Sequence, residues 1–501
     1  METQINGIKK IKKITFIEPA ASGWHIYSSQ KIPRLGLPIL GALMKERGCD
    51  VTIYVEDISP IDFEDALSSD LIGISCTSST APKGYSIAKY FEDNGVPVVM
   101  GGFHPTFMTE ESLNYCSYVV RGEGEKALPG LVEAMEGKKA FEEVMGLSFK
   151  KDGTIVNNPD EEMMSCLEEA PMPDFSLIKG YEKIGVFPLS TSRGCPYNCS
   201  FCTVTNFYGN QYRLNSIDNV IREFKNIKAD YVFICDDNFA ADRKRTKELL
   251  RRKIEEGIGT MWGAQMRIET ADDTELLELM KQSNCSKVYV GFESVNPEAL
   301  KAFNKKLDIT AVRRQIKQFH KYGIKIHGMF VLGADSDNKG TIKDTLKFSR
   351  KMHIDTIQFM VLTPIPGSKV FDDLKNEGRI FSYDWNLYDG NHVVFKPVRM
   401  TPIELQIGIL KATKRFYSYW SIVKRFAKFD FFTMIGRTQG HRIYRKWMKE
   451  NKIFLEKIKE GIFEKYDSFR ETALNIKEYS IRTNTEIKKK IKGRKSDFGK
   501  A

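Results

Sequence analysis

Short apolar runs alternate with amphipathic stretches through the first 135 residues. Residues 12–20 (KKITFIEPA), 50–57 (DVTIYVED), 71–79 (LIGISCTSS), 96–102 (VPVVMGG) and 117–125 (SYVVRGEGE) are β-branched and apolar enough to read as strands. Between them, 37–48 and 84–95 carry helical spacing, and each ends at a glycine, as a helix C-terminus does. Near-continuous apolar strands joined by helices predict a doubly wound parallel sheet, Rossmann-like, with both faces covered. Ligands of such sheets lie at the carboxyl ends of the strands. Those ends are small, polar and glycine-rich here, which leaves room for a bulky ligand.

Residues 136–185 read as a connector. It contains a hairpin turning at Asp152-Gly153, then an extended stretch with prolines at 171 and 173. The strand and helix alternation resumes over 186–385, with strands in FPLSTSRG, YVFICDD, GTMWGAQMR, KVYVGFES, IKIHGMFVLG and TIQFMVLTPIPG. Six strands separated by helices predict a second parallel sheet or partial barrel. In 386–501 the pattern changes to helices in which aromatics and bases interleave, ending in a polar tail, EIKKKIKGRKSDFGKA, that reads as frayed.

Composition adds two constraints. A chain of 501 residues that is 42% hydrophobic and 28% charged is expected to form two or three globular domains. No apolar run approaches the ~20 residues of a membrane span, and the first residues lack the pattern of a secretory signal. A cytoplasmic protein with reduced thiols is expected, and the nine cysteines are not a disulfide framework. The charge is uneven. Residues 401–501 hold 25 Lys and Arg against 11 Asp and Glu, a net of +14, while the rest of the chain stands at −3.

Three of the cysteines fall in one short loop, Cys195-x3-Cys199-x2-Cys202, inside SRGCPYNCSFCTVTNFYG (192–209). Structural zinc takes four protein ligands, and an ordinary [4Fe–4S] cluster takes four thiolates. Three thiolates leave one iron open to a substrate or cosubstrate. Directly after the first strand of a βα domain, this spacing resembles that of the radical S-adenosylmethionine (SAM) enzymes, and Phe201 before the last cysteine also fits. The resemblance implies a [4Fe–4S] cluster on Cys195, Cys199 and Cys202, with SAM chelated on the open iron and cleaved to a 5′-deoxyadenosyl radical. It further implies SAM contacts at the next strand ends. Asp236, Asp237 and Asn238 (in CDDNFA) would meet the ammonium, where carboxylates accept its hydrogen bonds. Arg267 (in QMRIE) would meet the carboxylate, and Glu293 with Ser294 (in GFES) the ribose, beside Phe201.

Upstream of such a core, the first domain resembles the cobalamin-binding domain of the class B radical SAM enzymes, the group of the hopanoid methylases and anaerobic porphyrin cyclases. The corrin contacts implied are Ser75, Thr77, Ser79, Gly101, Gly102, Gly122 and Glu123. The Asp-x-His-x-x-Gly motif of cobalamin-binding methionine synthases is absent. His25 and His104 lie near strand ends outside such a motif and read as hydrogen-bonding loop residues. The group implies methyl transfer to an unactivated carbon, with radical cyclisation or C–C coupling as the alternative. A third reading is a tRNA methylthiotransferase, in which Cys49, Cys76 and Cys116 would hold a second cluster. The expected partners are a small-molecule substrate, with a lipid among the candidates, and an external electron donor such as flavodoxin or ferredoxin. The basic aromatic region reads either as a helical cap packed on the core or as a surface for peripheral contact with the inner face of a membrane, with nucleic acid behind both.

Overall fold

A computed structural model of the protein describes residues 10–21 and 31–461. His25 and the basic tail lie outside the described residues. A mixed sheet with a parallel core and a second, all-parallel sheet form successive α/β units, and four helices close the described chain.

The first sheet contains β1 (Lys13–Glu18), β2 (Asp50–Val55), β3 (Leu71–Ser75), β4 (Val98–Gly101), β5 (Tyr118–Val120), β6 (Leu147–Lys151) and β7 (Thr154–Asn157), in the order β2-β1-β3-β4-β5-β6-β7. The first five strands of that order are parallel, which is the flavodoxin-like arrangement with its switch point between β1 and β3. Alternate residues enter two separate cores. Ile14, Phe16, Ile53, Val99 and Val120 pack under helices Gly36–Glu46 and Gly124–Met135. Ile17, Tyr54, Ile72, Met100 and Val119 pack under helix Ala81–Asp93. The hairpin assigned above to the connector belongs to this sheet. β6 pairs antiparallel with β5, and β7 with β6. Asp152 (φ 50°) and Gly153 (φ 79°) supply the two positive φ angles of its tight turn.

The second sheet contains β8 (Phe187–Leu189), β11 (Tyr231–Ile234), β12 (Met261–Met266), β13 (Cys285–Glu293), β14 (Lys325–Leu332) and β15 (Thr356–Val361). All are parallel, in the order β15-β14-β13-β12-β11-β8. A separate two-stranded ribbon, β9 (Ser192–Arg193) with β10 (Arg213–Leu214), brackets the cysteine loop. The order runs straight through the sequence, so each crossover helix packs beside the last and the sheet curls into an open barrel.

Helices Pro402–Phe416, Tyr419–Phe426, Phe431–Glu450 and Lys452–Glu460 follow. They cover the edge strand β15. The Tyr417 hydroxyl bonds both the N–H and the carbonyl of Ile357. Arg437 donates to the carbonyls of Ile354 and Asp355 at 3.1 and 3.0 Å. The two α/β units also touch directly. Phe103 stacks on Phe207 with centroids 4.1 Å apart, and Trp385 Nε1 donates to Glu111 at 2.7 Å. No described helix is long and apolar enough to cross a membrane.

Candidate active site

The carboxyl ends of both sheets open onto one cavity of about 1070 Å³. Ser75, Thr77, Ser79, Gly101, Gly102, Gly122 and Glu123 line it from the first sheet. Cys195, Cys199, Phe201, Cys202, Asp237, Asn238, Arg267 and Glu293 line it from the second. Two of the residues singled out from sequence, Asp236 and Ser294, do not line it.

The cysteine loop is shaped by backbone constraints. Gly194 has φ 84°, and a Cβ there would lie 2.1 Å from the Gln211 carbonyl oxygen, so only glycine can precede Cys195. The loop is then tied to the turn after helix Pro297–Ala302. Asn304 Nδ2 donates to the Asn198 carbonyl at 2.8 Å, Ser200 Oγ to the Ala302 carbonyl at 3.0 Å, and Phe201 meets Phe303 edge-on.

Asp236 does other work than the SAM contact expected of it. Its oxygens accept from the Thr191 N–H (2.7 Å), the Thr191 hydroxyl (2.6 Å), the Ser192 N–H (3.2 Å) and the Ser192 hydroxyl (2.7 Å). It is 1% exposed and holds the chain two residues ahead of Gly194. Adjacent side chains at a strand end diverge, so Asp237 takes the cavity and Asp236 the interior. Ser294 is likewise buried, and its hydroxyl accepts the Asn296 N–H at 3.0 Å. Asp236→Ala would leave two buried N–H groups without acceptors. It is expected to lower stability by about 1–3 kcal/mol per stranded group, read by chemical denaturation, and to reduce cluster retention.

The cavity wall is short of positive charge. Burial pushes the three thiols up, Cys202 to about 12. Burial, then the neighbouring Asp236, raises the Asp237 carboxyl to about 6. The bases on the wall are already engaged: Lys305 pairs with Glu293 at 3.1 Å, Arg193 with Glu123 and Arg34 with Glu18. Arg267 donates to Glu269 at 2.9 Å and to the Lys306 carbonyl, and lies 4.5 Å from the Tyr197 ring centroid. Its guanidinium is already held, so a carboxylate reaching it would share it with Glu269. Glu293 sits at φ 60° and folds back over Gly291, where a Cβ would lie 2.2 Å from its Oε1. Strained backbone at a cavity wall is typical of functional positions. Thiols and carboxylates facing one void suit cationic occupants: iron, and the ammonium and sulfonium of SAM. Among the described residues no His, Cys, Asp or Glu group is close enough to grip a single metal ion.

The first sheet fits a corrin in a different way, by absence of side chains. Gly101, Gly102 and Gly122 bare the backbone. Gly102 (φ 93°) could not carry a Cβ without meeting the Cys76 carbonyl oxygen at 3.0 Å. His104 is 1% exposed and bonded at both ring nitrogens, to Ser78 Oγ (3.1 Å) and Tyr85 Oη (2.9 Å), so it is not placed to ligate cobalt. Glu123 lines the cavity, but its carboxylate is taken by Arg193 (2.7 Å) and Arg213 (2.7 and 3.0 Å), while Arg193 also pairs with Glu125 (2.6 Å). This buried network clamps the first unit to the ribbon of the cysteine loop. Sequence reasoning missed Arg193 as a clamp although it lies two residues before Cys195. Lys305 and Tyr197, also on the cavity wall, carry no signal of type or spacing.

Cys49, Cys76 and Cys116 do not form a second cluster site. Cys49 belongs to one core of the first sheet, and Cys76 and Cys116 to the other. Their thiols donate to the carbonyls of Ile11, Thr80 and Ser112 respectively.

Comparison with known proteins agrees with this geometry. The B12 binding domain matches over residues 26–132 and the radical SAM superfamily over 189–349. An uncharacterized methyltransferase of Pyrococcus horikoshii is 29% identical over 82% of this chain and 93% of its own. The bacteriochlorophyllide d C-12(1)-methyltransferase of Chlorobaculum tepidum is 29% identical over 83% of this chain and 90% of its own. The cobalamin-dependent SAM radical enzyme OxsB, at 15% identity, shares the fold with a TM-score of 0.67 over 98% of this chain and 81% of that one. With a three-thiol loop on one wall of the cavity and a bare glycine platform on the other, the chain belongs to the radical SAM enzymes that carry a cobalamin-binding domain.

Proposed function

We propose that this enzyme transfers a methyl group to an unactivated carbon of a hydrophobic small molecule. The observation that carries the reading is the single cavity onto which both cofactor walls open, with an apolar remainder from Phe233, Met329, Val331, Met360, Leu362 and Ile365. When bound, the cluster and SAM supply a hydrogen-abstracting radical, and the corrin supplies the methyl group. Cys195, Cys199 and Cys202 would hold the cluster. Asp237 and Asn238 would orient the SAM ammonium. A cation there would draw the raised Asp237 carboxyl back to its ionised form. Glu293 would meet the ribose, with Arg267 and Phe201 flanking the same molecule. Ser75, Thr77, Ser79, Gly101, Gly102 and Gly122 would face the corrin. The apolar wall excludes water, which protects a carbon radical from side reactions. The electron comes from an external donor such as flavodoxin or ferredoxin. A lipid substrate would bring the enzyme to the inner face of a membrane.

The test is anaerobic incubation of cobalamin-loaded enzyme with reductant and methyl-labelled SAM. Label is expected to become protein-associated and to follow the corrin through gel filtration, with 5′-deoxyadenosine released. If 5′-deoxyadenosine accumulates while all label leaves as methionine, cyclisation or coupling replaces methyl transfer.

A further inference from the structure

The helix Tyr419–Phe426 buries none of its residues. Its apolar side chains face outward instead: Tyr419 is 63% exposed, Trp420 77% and Phe426 59%. The turn that follows presents Phe429 at 80% exposure and φ 53°. A bulky residue in the left-handed region is rare, and here that conformation holds an aromatic ring out in solvent. Phe431 and Ile435 extend the patch along the next helix, each about half exposed. Phe431 stands edge-on to both Phe426 and Phe429, and exposed apolar side chains grouped in this way mark an interaction site.

The charge around the patch narrows the occupant. Residues 419–449 carry eight Lys and Arg and one acid, Asp430. Asp430 is already engaged by Lys325 (3.1 Å) and Arg425 (3.2 Å). Lys424, Lys428, Arg442 and Arg445 are exposed. The chain's own residues 462–501 hold 11 bases against 6 acids, so that segment would bring like charge to the patch. A second copy placed face to face would do the same. Aliphatic side chains such as Val423 and Ile435 offer a nucleic-acid base nothing to stack on, whereas Trp, Phe and aliphatics ringed by Lys and Arg match an anionic bilayer surface.

The position of the patch adds a second conclusion. Phe432 packs 4.9 Å from Lys287 Nζ, Asp430 pairs with Lys325, and Thr433 bonds Asp355. Lys287 is the third residue of β13, Lys325 the first of β14, and Asp355 lies just before β15, whereas the cavity opens at the other ends of these strands. Along β13 the distance from Lys287 to Glu293 is about 20 Å. We infer that the 419–435 face docks the enzyme on an anionic lipid surface, as a tether at the barrel end opposite the active site and not as the substrate's entrance. The inference extends the membrane contact in the functional reading and is independent of the chemistry proposed there.

Flotation of the full chain with vesicles tests it, comparing neutral phosphatidylcholine with the same lipid containing phosphatidylglycerol. Binding to the anionic vesicles is expected to exceed that to neutral ones by roughly tenfold or more and to fall with salt. Trp420→Ser with Phe429→Ser is expected to abolish it. Lys424→Glu with Lys428→Glu is expected to remove the anionic preference. Reductive SAM cleavage, measured on the same samples, is expected to stay at the unmodified rate in every variant, which also reports that they fold. No flotation, or equal binding to both vesicles, would overturn the inference. So would competition by RNA, or a dimer that Trp420→Ser dissolves. A failure of methyl transfer would leave the flotation result standing.

Discussion

Alanine in place of any one of Cys195, Cys199 or Cys202 is expected to take anaerobically reconstituted protein from about four irons per chain to well below one. Reductive SAM cleavage should fall below detection with it. A cluster held by three thiolates has no spare ligand, so two remaining thiols cannot compensate. The loop makes the effect specific. Its backbone is fixed by Gly194, by Asp236 beneath it and by the Asn304 and Ser200 bonds across from it, none of which involves a cysteine side chain. The variants should therefore fold like the parent, with unchanged secondary structure by circular dichroism and an unchanged cobalamin spectrum. About eight irons in the parent protein would instead require a second cluster, which the separation of Cys49 from Cys76 and Cys116 by the first sheet opposes.

The second large effect is expected at the clamp. Glu123→Ala leaves Arg193 and Arg213 facing each other without their shared carboxylate. Glu123 and Arg213 side chains are 7% and 6% exposed, and Arg213 Nε already lacks a partner. Removing one member of a buried ion pair costs about 3–5 kcal/mol, chiefly through the charge left behind. Denaturant unfolding should show the loss in the transition that separates the two units. The pH dependence gives an independent check. Burial alone would raise the Glu123 carboxyl, but Arg213 and Arg193 outweigh it and hold the group below the ordinary glutamate range. A carboxyl with a depressed folded pKa contributes stability above its unfolded value of about 4.3, and that contribution disappears as pH falls through the lower folded value. Glu123→Gln should flatten the acid limb of the stability curve, because its amide does not titrate.

The parts of this molecule legible in the sequence are those with a period or a fixed spacing. All six strands of the second sheet, the parallel order implied by their apolar runs, and the three-thiol loop follow from local patterns. The hairpin β6–β7 was legible as a hairpin, from Asp152-Gly153, but not as part of the first sheet. Pairing with β5 is a long-range choice that alternation does not encode. At the site, residue type located the strand ends but not which neighbour faces the cavity. Asp236 and Asp237 are indistinguishable as letters, yet one anchors Thr191 and Ser192 and the other meets the void. Glu123, a corrin contact by resemblance, lines the cavity, but its carboxylate is taken by arginines 70 and 90 residues away. Such partners are set by how two units dock, and no local motif reports that.

The grip of Tyr417 on Ile357 has a consequence for how the chain can be shortened. One hydroxyl occupies both the donor and the acceptor that Ile357, near the start of β15, would otherwise offer to a further strand. Arg437 takes the carbonyls just before it. The closing helices therefore act as a stopper against sheet growth as well as a surface for docking. A chain cut back to the end of the barrel would expose a ready template for strand addition, so self-association through that edge, rather than loss of the barrel itself, is the hazard these helices suppress.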